Sequence, residues 1–328
     1  NQDKTPDLSY VYSACRSVIK NLANGKRTLV VLQSTVFPGV TREVIGGYCE
    51  SLGKEMGRDI VVAYSPERVD PGDSMRSVSG VAHIVGCDNS EEGEWLAWMF
   101  GEITTKGAFF VGSIEVAEAS KLIENVQRDI DIAFVNELSI TLPMMGVDVE
   151  EVLEAASTKW NFHRHSPGIG VGGHCIPVDP YYYINIAKTV GFPSRISEAA
   201  RAINSGMPEH SANKIEEAFE DGLTGKRILI LGYSYKPNVG DARETPVSEL
   251  VLQLDSRGCE VLIHDPVVDP EDFPESALIV DECSECDGID MIVLATSHRN
   301  FGNDEFEFWN MMKDKMDNAI VFDGRRSL

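Results

Sequence analysis

Positive charge is scarce in this sequence. Its 328 residues hold 29 Lys and Arg against 52 Asp and Glu, a formal net charge of −23 at pH 7. Phosphate backbones are held by clustered Lys and Arg, so a non-specific nucleic-acid binder is excluded, whereas a small anion in a locally basic pocket is not. Long apolar runs are missing too. None approaches the roughly 18 to 20 residues of a membrane-crossing helix, and no membrane partner is expected. The first ten residues, "NQDKTPDLSY", have neither the basic nor the apolar stretch of a signal peptide. A cytoplasmic location is therefore expected. Cysteine is sparse, odd in number at seven and scattered, in a chain too large to need staples, which points to reduced thiols. The only C-x-x-C, Cys283 to Cys286, has no second ligand pair at zinc spacing. It reads as a loop with two thiols, and no metal is expected. Two glycine motifs are also absent: no G-x-G-x-x-G follows a strand in the first part, and no Walker pattern follows one in the last.

What is present alternates. "TLVVLQST" (28 to 35), "DIVVAYSPE" (59 to 67), "AHIVGC" and "GAFFVG" are apolar runs of the kind a buried parallel strand shows, with helical patterns between them. From Ser113 to about Met145 there is no Gly or Pro before Pro143, and the spacing predicts one long helix. Helical patterns continue to about residue 222, with a kink expected at Gly206-Met207-Pro208. Strand and helix alternation resumes at "GKRILILGYSYKPNVGD" and ends in "AIVFDGR". The fold class is therefore α/β. Residues 1–112 form a partial Rossmann-like domain, 113–222 a central helical domain that bridges domains or makes a subunit interface, and 223–328 a second Rossmann-like domain. The first block opens on a helix with no strand before it. The chain is expected to start partway through its first domain.

The chemistry centres on "PGIGVGGHCIPVDP", residues 167 to 180. Gly170, Gly172 and Gly173 let backbone approach a ligand closely, and Pro177 fits a first helical position. The N–H groups of the helix behind it favour thiolate at Cys175. Asp179, four residues on, is expected to share a helix face with the sulfur, as a carboxylate that positions or activates water for a thiol nucleophile. The competing reading is an inert cysteine in a tight turn. Lys121 and Asn125, at i and i+4 on the long helix, read either as an oxyanion-holding pair or as a solvated face with ordinary ion pairs. Ser34-Thr35 and Glu67-Arg68 stand at two strand ends, where an acid or base beside a ligand belongs; singly, each also reads as turn chemistry. Lys236 and Arg243 follow the first strand of the last block, and Arg325 and Arg326 end its last strand. In so acidic a chain they form either a phosphate site or surface charge.

Taken together, "STVFPG", "SPERVDPG", "AEASKLIENVQRDIDIAFVNEL", "GVGGHCIPVDP", "LGYSYKPNVGDARETP" and "FDGRR" resemble the nucleotide-sugar 6-dehydrogenases. These enzymes oxidise a sugar's primary alcohol to a carboxylate. The motifs run in the family's order across nearly the whole chain. "GGHCIPVDP" is closer to the branch acting on UDP-N-acetylmannosamine and UDP-N-acetylglucosamine than to UDP-glucose dehydrogenase. The resemblance implies NAD as cofactor and a UDP-sugar as substrate. It casts Cys175 as nucleophile, Asp179 as its water-handling partner, Lys121 and Asn125 as oxyanion stabilisers, and Glu67 and Thr35 as acid/base or water-ordering groups. Ser34, Thr35 and Arg243 would face the cofactor. Glu67, Arg68, Lys121, Asn125, Gly172, Gly173, Lys236 and Arg325 or Arg326 would face the substrate. A homodimer or higher homo-oligomer is expected. One departure stands out: where UDP-glucose dehydrogenases have a second glutamate four residues after the first, this chain has Pro71. Without the glycine fingerprint, the 328-residue polypeptide is expected to bind NAD poorly and to turn over slowly or not at all. A cysteine hydrolase explains Cys175 but not the last block, and a non-catalytic nucleotide-sugar binder leaves the Cys, Asp, Lys and Asn set without a use.

Overall fold

The computed structural model describes residues 7–22, 26–69, 77–301, 306–316 and 320–328. They form two compact units. The first takes Asn1–Gln127 with Val178–Ser194, and the second Arg128–Pro177 with Arg195–Leu328. Residues of the helical middle, 113–222, fall in both units.

In the first unit, strands β1 (Thr28–Leu32), β2 (Ile60–Tyr64), β3 (His83–Cys87) and β4 (Ala108–Phe110) lie in that order. β1 and β2 are parallel, with Leu32 opposite Tyr64, and β3 and β4 are parallel. β2 and β3 are antiparallel, against the expectation of a wholly parallel sheet. A parallel link needs a crossover, usually a helix. Among the described residues, the stretch from 65 to 82 holds only a 3-10 turn at Val78–Gly80. Helices α1 (Ser9–Lys20) and α2 (Val40–Ser51) cover one face through Ile19, Val44, Ile45 and Cys49 on Ile60, Val62 and Tyr64. Helix α3 (Ser90–Gly101), capped by Asn89, covers the other through Leu96 and Ala97. Each fully buried aliphatic side chain contributes about 1.5–3 kcal/mol. The long helix appears as α4 (Ile114–Met144), 31 residues with Pro143 inside its last turn. Its start is pressed against β3: a Cβ on Gly86 would lie 2.5 Å from the Ser113 carbonyl.

The second unit holds α5 (Val149–Ser157) and five parallel strands. These are β5 (Arg227–Leu231), β6 (Glu260–His264), β7 (Leu278–Ile279), β8 (Met291–Leu294) and β9 (Val321–Asp323), in the order β7-β6-β5-β8-β9. Helix α6 (Asp179–Thr189) belongs to the first unit and α7 (Arg195–Glu216) to the second. Ile228 and Ile230 pack on α8 (Pro246–Ser256), while Leu229 and Leu231 face Phe301 and Met312 of the region around α9 (Phe306–Lys315). That two-residue period buries both faces, as a parallel sheet requires. The same apolar layer takes Cys283 and Cys286, and burial pushes the Cys283 thiol up to about 12. β7 and α9 were not foreseen: β7 is two exposed residues on the sheet edge. α7 runs unbroken through Gly206-Met207-Pro208, with Met207 and Pro208 buried.

Strand order reverses about β5, so the crevice outside the carboxyl ends of β5 and β8 is where an α/β sheet receives ligands. The loop carrying Lys236 and Arg243 leaves β5 at that end, and Arg325 and Arg326 follow β9 there.

Candidate active site

The first unit places Asp179 at the start of α6, with Pro180 in its first turn. A proline there gives up no needed N–H, which fixes the helix start two residues later than Pro177. Cys175 therefore lies in a bend ahead of the helix and does not share a helical face with Asp179. The dipole effect invoked for its thiolate fades within one helical turn. Asp179 is only 4% exposed, and its Oδ2 accepts a 2.6 Å hydrogen bond from Asn125 Nδ2. Burial pushes its carboxyl up to about 6, against the opposing pull of that bond and of the Lys121 charge. Lys121 is half-buried and Asn125 buried, so this helix face is not simply solvated.

Ser34 and Thr35 leave β1, and Glu67 leaves β2, at the same end of the parallel pair; the Ser65 amide donates to the Leu32 carbonyl at 3.0 Å. Glu67 is exposed, and its Oε1 accepts from the Arg68 and Val69 amides at 2.7 Å each. Arg68 is engaged by the Glu124 carboxylate and donates to the Ala82 carbonyl at 3.0 Å. It ties its loop to α4. Pro71 lies outside the described residues. The N-terminus of α2, which would ordinarily attract an anion, already holds one. Glu118 reaches from α4 to accept from the Gly39 amide at 2.6 Å and the Thr41 amide at 2.9 Å. Behind these groups Tyr64 is fully buried, and burial first, then the Glu118 and Asp179 charges, raises its phenol pKa.

In the second unit the glycine loop packs on its own chain. A Cβ on Gly172 would lie 2.6 Å from Tyr235 Cβ and 2.8 Å from the Glu244 carbonyl, and one on Gly170 2.7 Å from Pro246 Cβ. Gly173, at φ +87°, donates its amide to the Arg243 carbonyl at 3.2 Å. The missing side chains at Gly170, Gly172 and Gly173 thus make room for protein, where close approach to a ligand was expected. The loop presents Cys175 to solvent, while the other six cysteines are buried. The inert buried cysteine of the alternative reading does not fit that exposure.

The four candidate cations differ. Lys236 is half-buried. Arg243 is exposed and doubly bonded to Asp241, at 2.8 and 2.6 Å. Arg325 turns inward, its Nε on the Ala295 carbonyl at 2.7 Å, and burial lowers its pKa. Arg326 stands 3.6 Å from Asp148 and lines a groove of about 650 Å³ with His210, Lys214 and Gly168. Sequence reasoning missed a buried polar cluster in this unit: Asp129 and Asn136 of α4, and Arg201 and Asn204 of α7. The available signal was polar residues on inward helical positions, Arg201 and Asn204 at i and i+3.

The chain matches the UDP-glucose/GDP-mannose dehydrogenase family in three segments: its NAD binding domain at 1–104, its central domain at 115–206 and its UDP binding domain at 229–328. A UDP-N-acetyl-D-glucosamine 6-dehydrogenase of Pseudomonas aeruginosa is 38% identical over 308 residues, 92% of this chain and 72% of that protein. The solved UDP-D-ManNAc dehydrogenase of Pyrococcus horikoshii superposes with a TM-score of 0.87 at 30% identity, over 99% of this chain and 75% of the other. A UDP-glucose dehydrogenase structure from Pyrobaculum islandicum gives 0.86 at 26% identity, over 100% and 74%.

Proposed function

The chain belongs to the UDP-glucose/GDP-mannose dehydrogenase family, and from that premise we propose that it oxidises the primary alcohol of a UDP-N-acetylhexosamine to the uronic acid. The observation that carries this reading is the exposure of Cys175, alone among seven thiols, within "GGHCIPVDP". The family's N-acetylhexosamine relatives support the substrate class.

NAD is the hydride acceptor when bound, and Ser34 and Thr35, standing clear of the ladder at the carboxyl end of β1, are the residues we assign to hold it, with Arg243 as a further contact. Oxidation of an alcohol to an acid passes through a reactive aldehyde. Cys175 attacks that carbonyl to give a thiohemiacetal; oxidation of this adduct gives a thioester, and water releases the acid and the thiol. Lys121 steadies the oxyanion by charge, with Asn125 bonded to Asp179 behind it. Asp179, with a carboxyl near 6, is ionised above that pH and takes the proton of the attacking water. Glu67 and Thr35 order that water. We assign Lys236 and Arg326 to the UDP moiety, Gly172 and Gly173 to shaping the loop, and Arg68 to holding its own loop. A cytoplasmic location fits a reaction that needs its thiol reduced. Homo-oligomerisation through the helical middle is supported by large apolar side chains left in water, Trp160 at 91% and Met144 at 79% exposed.

The test is a panel of UDP-sugars assayed for NADH release with the complete gene product, wild type and Cys175→Ser. The N-acetylhexosamines should be oxidised with two NADH per sugar. Cys175→Ser should lose the four-electron oxidation while keeping UDP-sugar affinity within about threefold. Turnover unchanged in Cys175→Ser would sink the nucleophile assignment, and a preference for UDP-glucose would move the substrate class.

A further inference from the structure

We propose that the buried Arg201–Asp129–Asn204–Asn136 network is a positioning device for Cys175, an inference that rests on the thiol being the nucleophile. The bonds form a directional chain. The Gly168 amide donates to Asn136 Oδ1 at 3.0 Å, and Asn136 Nδ2 donates to Asn204 Oδ1 at 2.9 Å. Asn204 Nδ2 donates to Asp129 Oδ1 at 2.7 Å and to the Asp129 carbonyl at 3.0 Å. From the other side, Arg201 Nη1 donates to Asp129 Oδ1 at 2.8 Å and to the Ile176 carbonyl at 3.2 Å. Gly168 and Ile176 bracket the segment that carries Cys175. One network therefore holds both ends of the nucleophile loop.

Its polarity is fixed at both ends, by the Asp129 carboxylate that accepts and by the Gly168 amide that donates. An amide side chain fits either way round until a partner decides, and the Asp129 carboxylate, which only accepts, obliges Asn204 to present its NH₂. That leaves the Asn204 oxygen for the Asn136 NH₂, and the Asn136 oxygen for the Gly168 amide. At the far end, the peptide after Ile176 belongs to Pro177 and has no N–H, so its carbonyl is the only polar handle it offers. Arg201 takes it. The bonds to the Gly168 amide and the Ile176 carbonyl act through the backbone on either side of the thiol.

A buried ion pair of this kind is a poor way to gain stability. Replacing both partners by apolar residues of similar volume is often neutral or stabilising. That separates a positioning role from a structural one. The test uses two variants of the whole chain: Arg201→Met with Asp129→Leu, which removes both charges together, and Asn136→Ala, which cuts the chain of bonds at its neutral end. With folding checked by circular dichroism, each should lower kcat for UDP-sugar oxidation by about 10- to 100-fold, the range expected of a misplaced reacting group, with KM within about threefold. Iodoacetamide alkylation of Cys175, followed by mass spectrometry without sugar or NAD, should differ from wild type by about fivefold or more. If the folded variants keep both kcat and the alkylation rate within about twofold of wild type, the network only holds helices together and the proposal is overturned. Should the double variant fail to fold, Asn136→Ala decides alone. The alkylation readout is independent of turnover, so a thiol that proved non-catalytic would sink the functional reading through Cys175→Ser and leave the clamp separately measurable.

Discussion

At Asp179 a carboxylate is kept almost dry, and burial holds its pKa near 6 although Asn125 and Lys121 both favour the charged form. Because the folded pKa lies above the ordinary 3.8, the native chain binds the proton more tightly than the unfolded chain. This stabilisation is fully present below about pH 4 and is lost as pH rises through 6, a difference of about 3 kcal/mol. Asp179→Asn keeps an acceptor for Asn125 and removes the cost of burying the charge. The variant should be more stable than wild type at pH 8, by up to that amount in urea unfolding, and no more stable at pH 4. Its release of the acid should collapse, and the wild-type rise in kcat centred near pH 6 should vanish with it. A variant with equal stability at both pH values would show that the charge is already solvated. The identity of this residue was legible from "GGHCIPVDP"; its partner was legible only as a spacing on a helix. Its raised pKa was not, because burial depends on packing that the motif does not contain.

The glycine loop and α7 show opposite limits for an added methyl group. At Gly172 the Cβ position is occupied by Tyr235, Glu244 and Pro246 atoms at 2.6 to 2.9 Å, two of them backbone or ring atoms that cannot swing away. Gly172→Ala should cost at least about 2 kcal/mol, as overpacking does, and displace the Cys175 loop. Gly206 is exposed in the interior of α7 with nothing within 4 Å. There Gly206→Ala should stabilise by about 0.8–1 kcal/mol from helix propensity alone. Thermal melts of the two variants check both signs. Element by element, the strands were readable because buried runs such as Ile60–Tyr64 are apolar throughout. The same uniformity hid the antiparallel pairing of β2 and β3, since a strand buried on both faces carries no alternation to reveal direction. The Arg201–Asp129 pair was out of reach for another reason: 72 residues separate its partners, and only the packing of α7 on α4 brings them together.

Across the whole molecule the −23 charge opposes the approach of a dianionic UDP-sugar, whatever local cations hold it once bound. Raising ionic strength from about 0.01 to 0.1 M shortens the Debye length from about 30 to 10 Å. This should raise kcat/KM for the UDP-sugar by about two- to fivefold, with kcat itself little changed. Steady-state kinetics in a salt series decide it, and a monotonic fall would mean that local cations dominate the approach. The α/β, helical, α/β order was readable at this scale from hydrophobic period alone. The grouping into two compact units was not, because α4 gives its first turns to one and its last to the other. The distribution of cysteines carries a last consequence. Six thiols are shielded and one is in water, so thiol oxidation of this protein has a single point of entry. On the proposed role of Cys175 as nucleophile, the exposure that leaves its thiol open to substrate also leaves it open to peroxide. Loss of activity in air therefore begins at that sulfur as a sulfenic acid, which a thiol reductant reverses, and becomes permanent only when the same atom is carried on to the sulfinic state.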